Sequence, residues 1–103
     1  MNYQHGDVLL KEVKVLPKGL MLKGTQDVIV AEGELTGHSH KVQGKGVQLL
    51  ERAEDKTLFL NVIWPSTITH QEHQEIEISP GLYEIGRIKE YDYFEAQARL
   101  VRD

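Results

Sequence analysis

Thr57-Leu58-Phe59-Leu60-Asn61-Val62-Ile63-Trp64 decides the fold class. The run is built from aliphatic, β-branched and aromatic side chains, which suit a pleated, half-buried strand. Ala53-Glu54-Asp55-Lys56 before it reads as a hairpin turn, and Val47 to Arg52 as the partner strand; Pro65-Ser66 ends the run. Downstream, Glu75-Ile76-Glu77-Ile78-Ser79 alternates polar and apolar residues, as a strand with one buried face does. Pro80-Gly81 is a tight turn, because proline presets one turn dihedral and glycine accepts positive φ. Leu82 to Tyr93 then reads as the last strand, with Gly86 predicting a bulge that brings Ile85 and Ile88 back into phase.

Upstream, Asp7 to Leu16 is rich in Val and Leu and ends at the turn signal Pro17-Lys18-Gly19. Asp27 to Glu34 and His38 to Gln43 are further strand candidates, the latter closed by Gly44-Lys45-Gly46. Phe94 to Asp103 fits neither period. Helical periodicity is almost absent. The expectation is one mainly β domain over residues 1–103, a small sandwich or partly open barrel of about six to eight antiparallel strands with little helix. Trp64 is expected in the core. Tyr83, Tyr91 and Tyr93 pack at the core rim or line a homodimer interface, since pairing copies is one way to protect sheet edges.

With 103 residues the chain has room for one modest core. No apolar run approaches the roughly 20 residues that span a bilayer, and the first residues lack the basic and apolar regions of a signal peptide. The expected location is cytoplasmic, with no membrane partner. Cysteine is absent, which removes disulfides, thiolate metal sites and cysteine nucleophiles together. A formal charge of −4 with no long basic run argues against coating long nucleic acid. It leaves room for a small anion held by a few local cations.

Four of the five histidines fall in two clusters, Gly37-His38-Ser39-His40 and Thr69-His70-Gln71-Glu72-His73. On a strand, His38 and His40 share a face. His70 and His73 share a side if their segment forms one loop or helical turn. Imidazole moves protons near neutral pH and also ligates metals, so two chemistries are open. A metal needs three or four ligands. The four histidines with Glu34 or Glu72 could supply them, as in a cupin-like site, but His40 is followed by Lys41 rather than by a glutamate a few residues on. The second cluster is not His-Glu-x-x-His.

Acid–base cleavage of RNA asks for less: a base for the 2′-hydroxyl, an acid for the leaving 5′-oxygen and a cation for the phosphorane. Lys41, Lys45, Arg87 and Lys89 are candidate phosphate contacts. The plainer reading of Arg87 and Lys89 is a solvated strand face. That of the histidines is incidental placement, which suits His5 best.

These motifs resemble a small family of bacteria and their phages. The resemblance runs over Gly6-Asp7-Val8-Leu9, then Ala31 to His40, Thr69 to His73, Pro80 to Glu84 and Arg87 to Tyr91. It extends to CRISPR-associated ring nucleases found beside type III systems, which degrade cyclic oligoadenylate messengers and switch the response off; phage members act as anti-CRISPRs. The resemblance implies a homodimeric enzyme that cuts cyclic oligoadenylate without a metal or other cofactor. His38, His40, His70 and His73 would be catalytic. Glu34, Thr36, Lys41, Glu72, Arg87, Lys89 and Tyr91 would bind substrate. Aromatic residues would stack on adenine. A chain of −4 holds such a tetra-anion only where its cations gather. Two other classes compete: a histidine-ligated metal protein, and a non-enzymatic module with a pH-sensitive interface.

Overall fold

The computed structural model describes residues 1–32 and 38–87. Among them are ten strands and no helix: β1 Tyr3–His5, β2 Val8–Val13, β3 Leu20–Thr25, β4 Val28–Glu32, β5 Ser39–Gln43, β6 Val47–Arg52, β7 Leu58–Val62, β8 Ser66–Thr69, β9 Ile76–Ile78 and β10 Gly81–Arg87. They form two antiparallel sheets, β1-β2-β10-β7-β6-β3 and β4-β5-β8-β9. The architecture is the expected mainly β sandwich, with its sheets open. The sequence reading picked out β2, β4, β5, β6, β7, β9 and β10. It passed over β1 and β3, and it read Pro65-Ser66 as a break where β8 begins.

Alternation builds the core. Val8 and Leu10 of β2, Leu60 and Val62 of β7, and Tyr83 and Ile85 of β10 point inward from the larger sheet. Val28 and Val30 of β4, Val42 of β5, Ile68 of β8 and Ile78 of β9 meet them from the smaller one. Phe59 points the other way, and the Arg52 guanidinium lies over its ring, 5.4 Å from the centroid. Tyr83 is buried, and its hydroxyl donates to the Ser79 carbonyl at 2.6 Å. It is therefore a core residue and not part of the rim.

Two local readings are corrected. Trp64 is 64% exposed, because β7 ends at Val62 and the chain leaves the sheet before reaching it. Gly86 is no bulge: β10 keeps its register on β2 through Ile85–Leu10, Gly86–Leu9 and Arg87–Val8. The register shifts fall instead between Leu22 and Gly24 in β3 and between Ile29 and Ala31 in β4. Ile88, Tyr91, Tyr93 and Phe94 lie outside the described residues.

Two features position the site. The first is the β1–β2 hairpin, with Gly6 and Asp7 between strands and Gly6 at φ +63°. A two-residue hairpin with glycine first takes this positive φ at no steric cost. The second is the β8–β9 connection, His70 to Glu75, which carries the second histidine motif.

Leu60 is fully buried on a strand paired on both sides. Leu60→Ala is expected to lower unfolding free energy by about 2–5 kcal/mol. Met21→Ser, on an exposed edge-strand position, should stay within about 0.5 kcal/mol. Urea titrations of the two variants check this; equal midpoints would contradict the assigned core.

Candidate functional site

The two histidine motifs meet because β5 pairs antiparallel with β8, setting Lys41 opposite Thr69 and Val42 opposite Ile68. The chain keeps this correspondence past the end of the ladder. His40 lies beside His70, with ring centroids 4.4 Å apart. The Ser39 amide donates to Gln71 Oε1 at 2.9 Å. His38 Nδ1 faces Glu72 Oε2 at 3.4 Å, within ion-pair reach but without hydrogen-bond geometry. His73 turns back onto the same group, 4.7 Å from the His70 ring and 5.7 Å from the His40 ring.

The hairpin between β1 and β2 completes the site. His5 is buried, and its ring lies 5.1 to 6.5 Å from those of His40, His73 and His70. Its Nε2 donates to the backbone carbonyl of Gln74 at 2.9 Å, and its Nδ1 is 2.9 Å from His40 Nδ1. Asp7 places Oδ1 3.4 Å from His40 Nε2, while Oδ2 accepts from Arg87 Nη2 at 2.8 Å and Nε at 3.2 Å. Gly6 presses against the rings: a Cβ there would sit 2.7 Å from His73 Nε2 and 3.1 Å from His40 Cε1. All five histidines therefore gather in one place.

Burial divides them. His40 is only 1% exposed. With His5 it forms the floor of the cluster, beneath the more accessible rings. The physical reason is its inward position, shared with Val42 one strand repeat away. His38 and His70 are half-buried and His73 is exposed, so these three form the accessible surface.

Electrostatics keeps the floor neutral. Burial pushes the His40 pKa down to about 4, and the neighbouring His70 and His5 push the same way against the pull of Asp7. His5 is lowered by burial, reinforced by His73 and His70. His70 is lowered by burial and then by His73 and His38. For Asp7, burial acts to raise the pKa, but the hydrogen bonds and charge of Arg87 outweigh it and hold the carboxyl below its ordinary value.

One hydrogen bond limits what the cluster can do. The Glu72 amide donates to His70 Nδ1 at 3.0 Å. Neutral His70 then carries its proton on Nε2 and presents a donor. Nitrogens of His40, His70 and His73 lie within 4.8 Å of one another, close enough to enclose a metal ion. A ligating imidazole must offer a lone pair; here His70 has one lone pair in use and a proton on its other nitrogen. A three-histidine set needs the Glu72 amide to turn away first.

Of the other residues singled out by sequence, Glu72 and Arg87 belong to the site. Lys41 does not: period two puts it on the face of β5 opposite His40 and Val42. Glu34, Thr36, Lys89 and Tyr91 lie outside the described residues. Sequence reasoning missed His5 and Asp7 as site members. The signal was the His5-Gly6-Asp7 triplet, where a glycine needed for a tight hairpin is flanked by two ionisable side chains. A surface depression over Glu12, Val13, Lys14, Gly81 and Leu82 lies at the far end of β2 and β10 from Asp7 and Arg87, away from this chemistry.

The family model for a domain of unknown function, DUF8820, matches residues 4–88. The chain belongs to the DUF8820 family. The DUF8820 match runs from within β1 to just past the end of β10, so it takes in every histidine together with Asp7 and Arg87. No curated protein and no solved structure matches the chain.

Two outcomes follow from the packing. Gly6→Ala forces a Cβ into a left-handed φ, at a cost of about 1–3 kcal/mol, and into the His73 ring. NMR of the variant should show the His73 resonances moved, and an unmoved ring would contradict the close approach. Stability should also fall with acid. His40, His5 and His70 have folded pKa values below the unfolded value of about 6.5, so the unfolded chain binds more protons below that pH. Stability is full above about pH 6.5 and declines toward pH 4, by roughly 3 kcal/mol from His40 alone. Urea midpoints at pH 7.5 and 4.5 measure this, with a smaller difference expected in His40→Gln.

Proposed function

We propose that the protein is a metal-independent phosphodiesterase that cuts cyclic oligoadenylate by internal transesterification. The observation that carries the reading is the hydrogen bond from the Glu72 amide to His70 Nδ1, which leaves the proton of neutral His70 on Nε2. A neutral imidazole with its proton on Nε2, beside exposed His73 and half-buried His38, offers a donor to a phosphate oxygen next to two proton-transfer groups. A preorganised donor aimed at developing charge stabilises a phosphorane without metal. Arg87, fixed by two hydrogen bonds to Asp7, supplies the cation.

In the proposed reaction, His73 or His38 takes the 2′-hydroxyl proton, the 2′-oxygen attacks phosphorus and the bond to the 5′-oxygen breaks. The other histidine protonates the departing 5′-oxygen. The product is a linear oligoadenylate ending in a 2′,3′-cyclic phosphate. His40 moves from the catalytic set to the supporting floor. Glu72 orients His38. The substrate class rests on the resemblance of the two histidine motifs to ring nucleases, as do the homodimer and the role of silencing type III CRISPR signalling.

The test is incubation with cyclic tri-, tetra- and hexa-adenylate, with and without EDTA, followed by product analysis. Chelator-resistant cleavage to linear products is expected, with His70→Ala and His73→Ala each losing on the order of 10²–10⁴-fold in rate. Full activity in the double variant would sink the proposal. Stoichiometric zinc, nickel or iron in the purified protein, with activity abolished by chelation, would favour the metal reading that the spacing of His40, His70 and His73 supports. Tight binding without turnover would favour a non-enzymatic module.

A further inference from the structure

The floor of the site is a single directed chain of polar contacts, and its proton positions follow by counting. The Gln74 carbonyl can only accept, so His5 Nε2 carries a proton. Neutral His5 then has a bare Nδ1. The atom facing it at 2.9 Å is His40 Nδ1, which must donate. Neutral His40 is left with a bare Nε2, and this lone pair faces Asp7 Oδ1 at 3.4 Å. Asp7 accepts nothing from His40 in this state and gives its hydrogen-bonding capacity to Arg87.

We propose that His5 is a positioning residue: it sets the tautomer of His40 and ties the loop carrying His70 and His73 to the strand pair that carries Asp7. Without an acceptor at His5, the His40 proton has a better place. It moves to Nε2, where the Asp7 carboxylate accepts it, and Asp7 is then shared between His40 and Arg87. The same loss frees the Gln74 carbonyl, one residue after His73. His5 thus governs two things at once, the loop that presents the accessible histidines and the carboxylate that aims the cation. Its catalytic consequence rests on the phosphodiesterase reading; the tautomer assignment does not.

The experiment is long-range ¹H–¹⁵N correlation of the histidine rings in ¹⁵N-labelled full-length protein at pH 7.5, paired with cyclic oligoadenylate turnover. In the wild type, His40 should be protonated at Nδ1 and His5 at Nε2. In His5→Phe, which keeps the ring but cannot accept, His40 should switch to the Nε2-protonated form. His5→Asn, whose carboxamide oxygen can replace Nδ1, should restore the original tautomer. Turnover in His5→Phe should fall by about 10²-fold in kcat, the scale of a small misplacement of reacting groups, with KM little changed. An Nε2-protonated His40 in the wild type overturns the proposal even if no variant folds, and so does a His40 tautomer unaltered in His5→Phe. If the wild type cuts no cyclic oligoadenylate but the tautomers behave as stated, the phosphodiesterase reading fails and the positioning role stands.

Discussion

The antiparallel register between β5 and β8 is the constraint on which the site depends. Once Lys41 faces Thr69, the residues beyond the ladder have little choice. His40 falls beside His70, Ser39 beside Gln71, and His38 beside Glu72. A slip of one residue would exchange the faces of β5 and send His40 to solvent and Lys41 into the core. The buried alternation that anchors this register, Val42 and Ile68, is apolar. The packing of the sandwich therefore sets the chemistry of its edge.

Gathering five imidazoles is electrostatically awkward, and the fold resolves it by keeping the inner ones neutral. Burial and mutual repulsion both disfavour charge on His40. The uncharged rings then satisfy one another and the backbone through directional hydrogen bonds. Gly6 makes this compactness possible, since any side chain there would occupy the space of the His73 ring. The result is a layered arrangement. Buried His5 and His40 form a fixed base, and His38, His70 and His73 lie above it, accessible to solvent. Among the described residues, Arg87 is the cation held at this site, aimed by Asp7.

Much of the fold was legible because period-two alternation is a local property. Glu75 to Ser79 carries it, Thr57 to Trp64 shows the related local signal of strand-forming side chains with Val47 to Arg52 as its hairpin partner, and each contains a strand. The short β1 and the exposed β3 carry no such pattern; β3 buries almost none of its side chains, so its pairing with β6 leaves little compositional trace. Trp64 was misplaced for a related reason. Residue type suggests burial, but where a strand ends decides it. Four of the five histidines were legible as paired motifs. His5 was not, because its partners are Gln74 and His40, brought close only by the sandwich.

The sequence by itself determined the strand-rich class, the turn at Ala53-Glu54-Asp55-Lys56, and the residue types available for proton transfer. These depend on propensity, turn chemistry and composition, all short-range. Which histidines are floor and which are surface, and which carboxylate holds Arg87, were decided only by tertiary structure. Those are questions of distance and burial between segments far apart in the chain, and they are settled when the two sheets close on one core.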